Sequence, residues 1–331
     1  MTDFTALVLL SSFNGARYIR DQIESIRAQT FRDWRLLIRD DGSSDETSSI
    51  VRTLSAQDGR IEILSDHSGN VGAYPSFGLL LLAAAKTSAL YVFLSDQDDV
   101  WIPTKMAEQI ETVRRAEKSL GVSHPILAHT DLEVVDEKLQ PIHASFRQYQ
   151  GFSHDREHPL ETLLIHNGIM GCTIAINRAL LDVAVPLPAG LHHDWWLGLC
   201  AAATGTIIST GEKTVRYRQH GSNTVGAHAR RAFLPEVARH PLNFISKSLA
   251  AFDVGVRQSA ELTGRLADRA LGDTTMRFRV DRYTEAFGSQ PFLARIGALR
   301  QSGAKPRRRL SRILLLGIVG LFPHWKAKRQ G

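Results

Sequence analysis

The sequence lacks the features that mark secreted and membrane-spanning proteins. It has only two cysteines, Cys172 and Cys200, so it carries no disulfide framework and no cysteine-based zinc pattern, and it suits a reducing compartment. Its longest strongly apolar run covers ten residues, 313–322, whereas a spanning helix needs about 20. The N-terminus has no basic segment followed by an apolar one, so we expect no secretory signal. These absences predict a cytoplasmic globular protein.

Acidic residues are missing from the end of the chain. Residues 304–331 carry eight basic residues and no acidic one, whereas residues 1–303 carry 32 basic and 34 acidic residues, a net charge of −2. A nucleic-acid enzyme would spread basic residues over its body, so we expect no nucleic-acid partner. A basic tail around an apolar run is typical of a segment that binds an anionic membrane surface, although a helix docked on the fold would have the same composition.

The remaining composition is that of an ordinary globular chain. The 331 residues are 43% hydrophobic and 22% charged, enough for one large domain or for a domain with an appendage. Strand-like apolar runs alternate with helical patterns over the first 115 residues, which predicts an α/β fold whose mainly parallel sheet is covered by helices on both faces. The predicted strands are residues 6–10, 34–38, 61–64 and 90–94. The second half is less regular. Residues 126–135 predict a pair of strands or a strand and a turn, residues 168–177 and 215–217 predict strands, and the pattern becomes helical after about residue 228.

Polar clusters follow three of the predicted strands. Asn14 comes after the first strand, Asp40 and Asp41 after the second, and Asp96, Asp98 and Asp99 after the fourth. Because the carboxyl ends of parallel strands meet at one rim of the sheet, where α/β proteins bind their ligands, we expect these side chains to form a site.

The acidic clusters suggest the chemistry of this site. A carboxylate in the segment 40–45 can accept hydrogen bonds from a nucleobase or a ribose, although the same residues would also cap the next helix. The three carboxylates of 96–99 repel one another unless a cation compensates, and Mg²⁺ or Mn²⁺ with oxygen ligands is suited to that role. A solvated acidic loop is the alternative.

Two later clusters complete the candidate site. Asp194 precedes Trp195 and Trp196, which could exclude water from the carboxylate and strengthen it as a general base, or could be core residues behind a helix cap. Arg218 and Asn223 could bind phosphate oxygens, and His220 could be a metal ligand. Together the clusters suit a metal-bound nucleoside diphosphate whose departure is assisted by charge neutralisation.

Other classes of protein share part of this pattern. A nucleotidyltransferase also uses aspartates at strand ends, but it normally has a glycine-rich phosphate loop, whereas residues 11–17 contain one glycine. A non-catalytic module that binds nucleotide sugars would not need Asp194 beside two tryptophans. A glycosidase needs two carboxylates that flank one bond, and it does not require a nucleotide-binding rim.

Several motifs in register resemble one known family over about residues 4–226. The sequence resembles the inverting nucleotide-sugar glycosyltransferases of family 2, which have the GT-A fold and include bacterial polysaccharide and O-antigen rhamnosyltransferases. The matching segments are residues 11–15 (SSFNG), 25–30 (SIRAQT), 40–47 (DDGSSDET), 95–101 (SDQDDVW), 193–196 (HDWW) and 217–223 (YRQHGSN).

The resemblance implies a GT-A, Rossmann-like mixed sheet in residues 1–226, followed by a helical region with a basic amphipathic tail in residues 227–331. It implies that Asp194 is the general base. The residues implied in binding the nucleotide and donor are Ser12, Phe13, Asn14, Asp40, Asp41, Gly42, Asp96, Gln97, Arg218 and Asn223. The implied metal ligands are Asp98, Asp99 and His220, with the ligand among the three aspartates left open. The implied sugar and acceptor residues are Trp101, Gly171, His193, Trp195 and Trp196.

The same resemblance implies the reaction. Asp194 would deprotonate an acceptor hydroxyl, which attacks the anomeric carbon in one inverting displacement. The motif version favours dTDP-L-rhamnose as donor, with a UDP-hexose as the alternative, and a lipid-linked saccharide as acceptor at the cytoplasmic face of the membrane. One position departs from the family, because Phe13 stands where a tyrosine is commoner and so lacks its hydroxyl.

Overall fold

The computed structural model describes residues 4–150, 159–221, 241–269, 272–288 and 290–304, without the side chains of 241–248 and 251. The strands are β1 Ala6–Ser12, β2 Trp34–Asp40, β3 Ile61–Ile63, β4 Tyr91–Ser95, β5 Val100–Trp101, β6 Ile126–Val135, β7 Pro141–His143, β8 Ile174–Asn177 and β9 Thr206–Arg218. The helices are α1 Ile19–Arg27, α2 Thr47–Gln57, α3 Ala73–Ala85, α4 Lys105–Leu120, α5 Phe146–Gln150, α6 Pro159–Leu163, α7 Arg178–Ala184, α8 His193–Thr204, α9 Pro241–Asp268, α10 Thr274–Glu285 and α11 Phe292–Ser302, with a 3-10 turn at Gly171–Thr173.

Within the described residues the strands form one mixed sheet in the order β3-β2-β1-β4-β8-β6-β9-β5, with β7 beside β6. The half built from β1 to β4 is parallel, as the alternation of strands and helices predicts. Beyond β4, strand β8 runs antiparallel to both β4 and β6. The second half is therefore mixed, because β9 pairs in parallel with β6 and antiparallel with β5.

The register of the parallel strands aligns their carboxyl ends. Ser12, the last residue of β1, pairs with Asp40 at the end of β2, and Leu10 pairs with Ser95 at the end of β4. The loops that begin at Phe13, Asp41 and Asp96 therefore leave the sheet at the same rim. Strand β1 is the centre of this half, and its apolar residues are completely or almost completely buried.

Strand β5 brings a distant segment to this rim. Its two residues pair antiparallel with β9, in the register Val100 with Arg216 and Trp101 with Val215. The acidic loop after β4 consequently lies beside the end of β9, where Arg218 stands. The sequence predicted only residues 215–217 as a strand here. Strand β9 is longer because its first part, beginning at Thr206, pairs with β6.

The helices cover the sheet with apolar faces. In α1, Ile19, Ile23 and Ile26 are buried at a helical spacing, and they join the core formed by β1, β2 and β4. Helix α4 contributes Met106, Ile110 and Val113 to the same core. This packing fixes the strand ends from which the loops of the rim extend.

The chain divides into two compact units. The first comprises Met1–Ser153, Ile169–Asp194 and Thr206–Arg230, and the second comprises His154–Gly168, Trp195–Gly205 and Arg231–Gly331. The boundary at 226/227 that the sequence predicts lies outside the described residues, as do the basic tail and Asn223. Among the helices of the described residues, none combines the length and apolarity that crossing a membrane requires.

Candidate active site

A side-chain amide joins the loop after β1 to the acidic loop after β4. The Phe13 backbone N–H donates to Gln97 Oε1 over 2.8 Å, and Gln97 Nε2 donates to the Phe13 carbonyl over 3.0 Å. A Cβ at Gly15 would collide with the same Gln97 amide, so a larger residue at this position would displace the amide from Phe13. The Phe13 side chain itself is 45% exposed, which leaves an aromatic ring open at the end of β1.

The loop after β1 is also tied to the loop after β2. Asn14, at a positive φ of 48°, accepts a hydrogen bond on Oδ1 from the Ser44 N–H over 2.9 Å, and its own N–H donates to Ser43 Oγ over 2.9 Å. Asp40 accepts from the Ser43 N–H over 3.1 Å and from the hydroxyl of Ser48. Asn14 and Asp40 thus shape the loops that carry them.

A buried arginine organises the segment after β3. Arg39 is 2% exposed and its guanidinium pairs with Asp41 and Asp66, each over 2.5 Å. Asp41 also accepts from the N–H groups of Val71 and Gly72, each over 2.8 Å, at the start of α3. Gly42, at a φ of 80°, leaves room for this segment, since a Cβ there would lie 3.3 Å from the Asn70 nitrogen. Ser12, at the end of β1, is also buried, and its hydroxyl lies 3.4 Å from the Arg39 carbonyl.

The acidic loop and the end of β9 meet as the sequence predicts. His220 Nε2 lies 2.8 Å from Asp98 Oδ2, and the imidazole packs on the Tyr18 ring with centroids 4.7 Å apart. These two side chains are 6% and 14% exposed. An imidazole nitrogen and a carboxylate oxygen therefore point at each other beside the acidic loop.

Negative charge is concentrated around Asp96. Burial, together with the nearby carboxylates of Asp98 and Asp194, raises the pKa of Asp96 to about 7. The acidic loop after β4 and the carboxylate at the start of α8 are therefore close enough to interact electrostatically. The protein holds this arrangement at a cost in free energy, which a bound cation would relieve.

Asp99 lies deeper than its neighbours. It is completely buried, and its Oδ1 accepts from the Arg218 backbone N–H over 3.1 Å. Below it the Cys172 thiol is also buried, and Lys105 is buried with its ammonium 2.7 Å from Gln109 Oε1. Burial lowers the pKa of Lys105 to about 7, while burial and Asp99 raise the pKa of Cys172.

The Arg218 guanidinium is buried and hydrogen-bonded to other residues of the protein. Its side chain is 3% exposed, and its Nε donates to the Asp98 carbonyl over 2.9 Å. Nη1 donates to the Glu137 carbonyl over 2.7 Å and Nη2 to Asp21 Oδ2 over 2.9 Å. The guanidinium also lies over the Tyr18 ring, 4.5 Å from its centroid. It joins α1, the acidic loop, the turn after β6 and β9.

The three tryptophans assigned to sugar binding are buried. Trp101 is 2% exposed, Trp195 3% and Trp196 0%. The Trp101 ring lies under the Lys105 ammonium at 4.8 Å, and Trp195 Nε1 donates to the Leu163 carbonyl over 2.5 Å. These rings belong to the core, so in this structure none of them has a free face on which a sugar could stack.

The other two residues assigned to the sugar lie against Asp194. His193 is 6% exposed, and burial lowers the pKa of its imidazole to about 3, so the ring is neutral. A Cβ at Gly171 would lie 3.0 Å from His193 Nε2 and 3.7 Å from Asp194 Cβ. Glycine at this position therefore permits the start of α8 to approach the 3-10 turn.

The donor groups suit a divalent cation. Asp96, Asp99 and Cys172 present ligand atoms that all lie within 4.8 Å of one another, and the Asp98–His220 pair adds an oxygen and a nitrogen. Carboxylate oxygens with one imidazole are ligands that Mn²⁺ and Mg²⁺ accept. Because Asp99 is buried and bonded to the backbone, Asp98 and His220 are the better placed of the predicted ligands.

The sequence motifs do not include the residues that position the predicted site residues. Arg39 and Asp66 fix Asp41, while Tyr18 and Asp21 hold His220 and Arg218. The motifs also do not include Tyr74, whose pKa is raised to about 12 by burial and by Asp194 and Asp96. The two glycines of residues 68–72, directly before α3, were the available signal for this segment.

Comparison with known proteins agrees with this architecture. Residues 7–181, just over half of the chain, match the family described as "Glycosyl transferase family 2". An uncharacterized glycosyltransferase of Nostoc is 30% identical over 226 residues, which are 65% of each chain. An Escherichia coli protein is 25% identical over 66% of this chain and 78% of its own length. It is named UDP-Glc:alpha-D-GlcNAc-diphosphoundecaprenol beta-1,3-glucosyltransferase WfgD. The match spans less than two thirds of the length of the Nostoc protein.

Solved structures show the fold. A mannosyltransferase from Pyrobaculum calidifontis, in complex with GDP-Man and Mn²⁺, superposes with a TM-score of 0.50 at 13% identity, over 99% of this chain and 88% of its own. GalNAc-T7 with UDP, GalNAc and Mn²⁺ gives 0.52 at 12% identity, over 85% of this chain and 56% of its own. The prediction of a GT-A fold with a mixed sheet and C-terminal helices is confirmed. With the match over residues 7–181, the chain belongs to glycosyl transferase family 2.

Proposed function

We propose that this chain transfers a sugar from a nucleoside diphosphate sugar to a saccharide acceptor, with inversion at the anomeric carbon. The observation that carries the proposal is the meeting of three distant segments. His220 Nε2 lies 2.8 Å from Asp98 Oδ2, and Asp96 interacts with both Asp98 and Asp194. A cation site and a candidate base beside one acidic loop are what transfer from a diphosphate donor requires.

The nucleotide lies along the loops after β1 and β2. Phe13 offers an exposed ring for the base, and Asp40 is at the adjacent strand end, half-buried. Gln97 holds the first loop and the acidic loop together, so base and diphosphate meet a rim of fixed shape. Asp41 and Arg39 contribute indirectly, because they hold the segment before α3 in position and do not contact the nucleotide themselves.

Asp98 and His220 hold the divalent cation. The ion would be held by the facing oxygen of Asp98 and nitrogen of His220, and Tyr18 keeps the imidazole in place. When bound, Mg²⁺ or Mn²⁺ supplies positive charge to the diphosphate that leaves. Arg218 positions this pair through the Asp98 carbonyl and the Asp99 carboxylate, and it is not itself a phosphate ligand.

Asp194 is the general base. It stands in the first turn of α8, close enough to Asp96 for the two charges to interact. It accepts the proton of the acceptor hydroxyl as that oxygen attacks the anomeric carbon. General base catalysis of this kind is worth on the order of 10²–10⁴-fold in rate. The buried, neutral His193 beside it adds no competing charge.

Two donors are proposed from different observations. The Asp-Gln-Asp-Asp-Val-Trp motif with His-Asp-Trp-Trp resembles the rhamnosyltransferase branch and favours dTDP-L-rhamnose. The Escherichia coli relative is named for UDP-Glc, which favours a UDP-hexose. Both donors present the same diphosphate to the cation site, so the choice depends on the groups that contact the base and the sugar.

The acceptor is a lipid-linked saccharide of cell-surface polysaccharide synthesis, with O-antigen as one candidate product. The Escherichia coli relative is named for a diphosphoundecaprenol acceptor, and a Bacillus subtilis relative, 27% identical over 183 residues, is named a putative teichuronic acid biosynthesis glycosyltransferase. The basic and apolar composition of residues 304–331 supports a peripheral position on the cytoplasmic face of the membrane.

A panel of donors tests the proposal. Thermal shifts are recorded for dTDP-L-rhamnose, UDP-glucose, UDP-N-acetylglucosamine and GDP-mannose, each with Mn²⁺, with Mg²⁺ and with EDTA. We expect one donor to stabilise the protein in a metal-dependent way, and Asp98→Ala to remove that shift. Release of nucleotide from that donor separates a transferase from a module that only binds. No metal-dependent shift with any donor would contradict the proposal.

A further inference from the structure

Four aromatic rings from the starts of two helices form a layer beside Asp194. Tyr74 stacks on His192 with centroids 3.9 Å apart and an angle of 14° between the rings, and His193 stacks on Phe77 at 4.0 Å and 27°. Tyr74 and His193 are 5.9 Å apart and join the two pairs. The layer lies entirely within the first unit of the chain.

The two pairs differ in their access to solvent. Phe77 and His193 are 3% and 6% exposed, whereas Tyr74 and His192 are only half-buried. We call the buried rings, Phe77 and His193, the inner pair, and the half-buried rings, Tyr74 and His192, the outer pair. Since Trp101, Trp195 and Trp196 are buried, Tyr74 and His192 are the aromatic rings near Asp194 that keep surface available, among the described residues.

The outer pair is next to the group that acts on the acceptor. The Tyr74 ring lies 3.9 Å from that of His192 and 5.9 Å from that of His193, the two residues directly before Asp194. In agreement, burial and the charges of Asp194 and Asp96 raise the pKa of Tyr74 to about 12. His192 is two residues before Asp194 in the chain. A ligand on this pair would present its hydroxyls to Asp194.

The surrounding contacts hold Tyr74 in a fixed position. Asp41 accepts the N–H groups of Val71 and Gly72, directly before α3, and Arg39 holds Asp41 in turn. A rigid ring costs little conformational entropy when a ligand binds, so it is suited to recognition. The pyranose ring has an apolar face of C–H groups that packs on aromatic rings, and its hydroxyls accept bonds from a phenol.

We infer that Tyr74 and His192 form the platform on which the acceptor's terminal sugar ring stacks, and that this pair contributes to acceptor specificity. The inference rests on the proposed function and deepens it, because it assigns the acceptor side of the same site to residues that carry no recognisable motif. The sugar of the donor is the competing occupant, and the experiment separates the two.

Steady-state transfer is measured for Tyr74→Ala, Tyr74→Phe and His192→Ala, with the donor chosen by the panel above. The acceptor probes are p-nitrophenyl glycosides and a phenoxyundecyl diphosphate that carries one N-acetylglucosamine. Tyr149→Ala is the matched control, because Tyr149 belongs to a second tyrosine–histidine pair in the same unit, 5.4 Å from His143, on α5. Donor affinity is measured separately by calorimetry, and donor hydrolysis is measured without acceptor.

We expect Tyr74→Ala and His192→Ala to raise KM for the acceptor about 3- to 10-fold. Donor affinity, donor hydrolysis and the control variant should stay unchanged, and Tyr74→Phe should show a smaller rise. An unchanged acceptor KM, or an equal loss of donor affinity, overturns the inference. Wild-type protein that transfers no sugar at all overturns the proposed function and this inference with it, whereas normal transfer by every variant overturns the inference alone.

Discussion

Cation binding should depend on pH because of Asp96. Burial and the carboxylates of Asp98 and Asp194 raise the pKa of Asp96 to about 7. Its proton is therefore retained at pH 6 in the protein without ligand. A divalent cation at Asp98 and His220 favours the ionised form, so binding expels this proton. The affinity for the cation and the donor should rise from pH 6 to pH 8 and then level off.

The size of the effect follows from the fraction of Asp96 that is ionised. With a pKa of about 7, that fraction is roughly 0.1 at pH 6 and roughly 0.9 at pH 8. If the bound state requires the ionised form, affinity increases about 9-fold over this range, or about 1.3 kcal/mol. The gain is confined to the two pH units around the pKa.

Calorimetry with Mn²⁺ and a UDP-sugar or dTDP-sugar at pH 6, 7 and 8 measures the effect. A nucleotide sugar has no phosphate group that titrates in this range, so the protons come from the protein. Repeating the titration at pH 7 in buffers with different ionisation enthalpies counts the protons released, and we expect about 0.5 per site from Asp96.

Two variants make the test specific. Asp96→Asn should reduce the pH dependence, whereas Asp182→Asn, which alters an exposed ion pair with Arg178 on α7, should retain it in full. Equal affinity at pH 6 and pH 8 in the wild type would refute the reasoning, and so would a full pH dependence in Asp96→Asn.

Three further substitutions test the framework of the site. The ion pair with Arg39 lowers the pKa of Asp66 to about 2, so Asp66→Asn should cost about 2 kcal/mol of unfolding free energy at pH 7. That contribution is present above about pH 4 and is lost as the pH falls toward 2, so the difference in stability between wild type and variant, measured by urea unfolding, should shrink from pH 7 to pH 2. A difference that stays constant would contradict the assignment. Arg218→Gln should weaken metal-dependent donor binding about 10- to 100-fold, because the buried guanidinium positions Asp98. The control Arg17→Gln removes an exposed ion pair worth less than about 1 kcal/mol and should leave the donor affinity nearly unchanged. Similar donor affinities in titrations of both variants would contradict the role of Arg218. Gly15→Ala should lower the free energy of unfolding by about 1–3 kcal/mol, because the new Cβ collides with the Gln97 amide. The control Gly59→Ala should be nearly neutral, since nothing lies within 4 Å of a Cβ at that position. Equal melting temperatures for the two variants would show that the close approach at Gly15 is unimportant.

Much of the first half of the fold follows from local patterns. The apolar runs that predict strands at residues 6–10, 34–38 and 90–94 fall within β1, β2 and, at all but its first residue, β4. Their order predicts the common rim, because parallel strands joined by helices align their carboxyl ends. The expectation that the acidic loop meets His220 also agrees with the structure.

The second half does not follow in this way. The first part of β9 is only partly buried, and its strand conformation depends on pairing with β6, which lies some 80 residues earlier. Local sequence carries little information about such pairing, since the partner strand supplies the packing that selects the conformation. The predicted strand was therefore limited to residues 215–217, in which Val215 and Tyr217 are the buried positions.

The environment of each site residue was the hardest feature to predict. Arg218 was expected at the diphosphate, but Asp21 and the carbonyls of Asp98 and Glu137 occupy its guanidinium. Whether a charged or aromatic side chain is buried depends on partners far away in the chain, and a motif does not identify them. Tyr74 was missed for the same reason, because its position depends on Arg39 and Asp41.

The central claim is that Asp194 acts as base in a single displacement at the anomeric carbon. The measurement that tests it most directly is the anomeric configuration of the transferred sugar, read by NMR from the one-bond C–H coupling of the product and compared with the donor. The claim predicts the opposite configuration in the product, and a product that retains the configuration of the donor would contradict it.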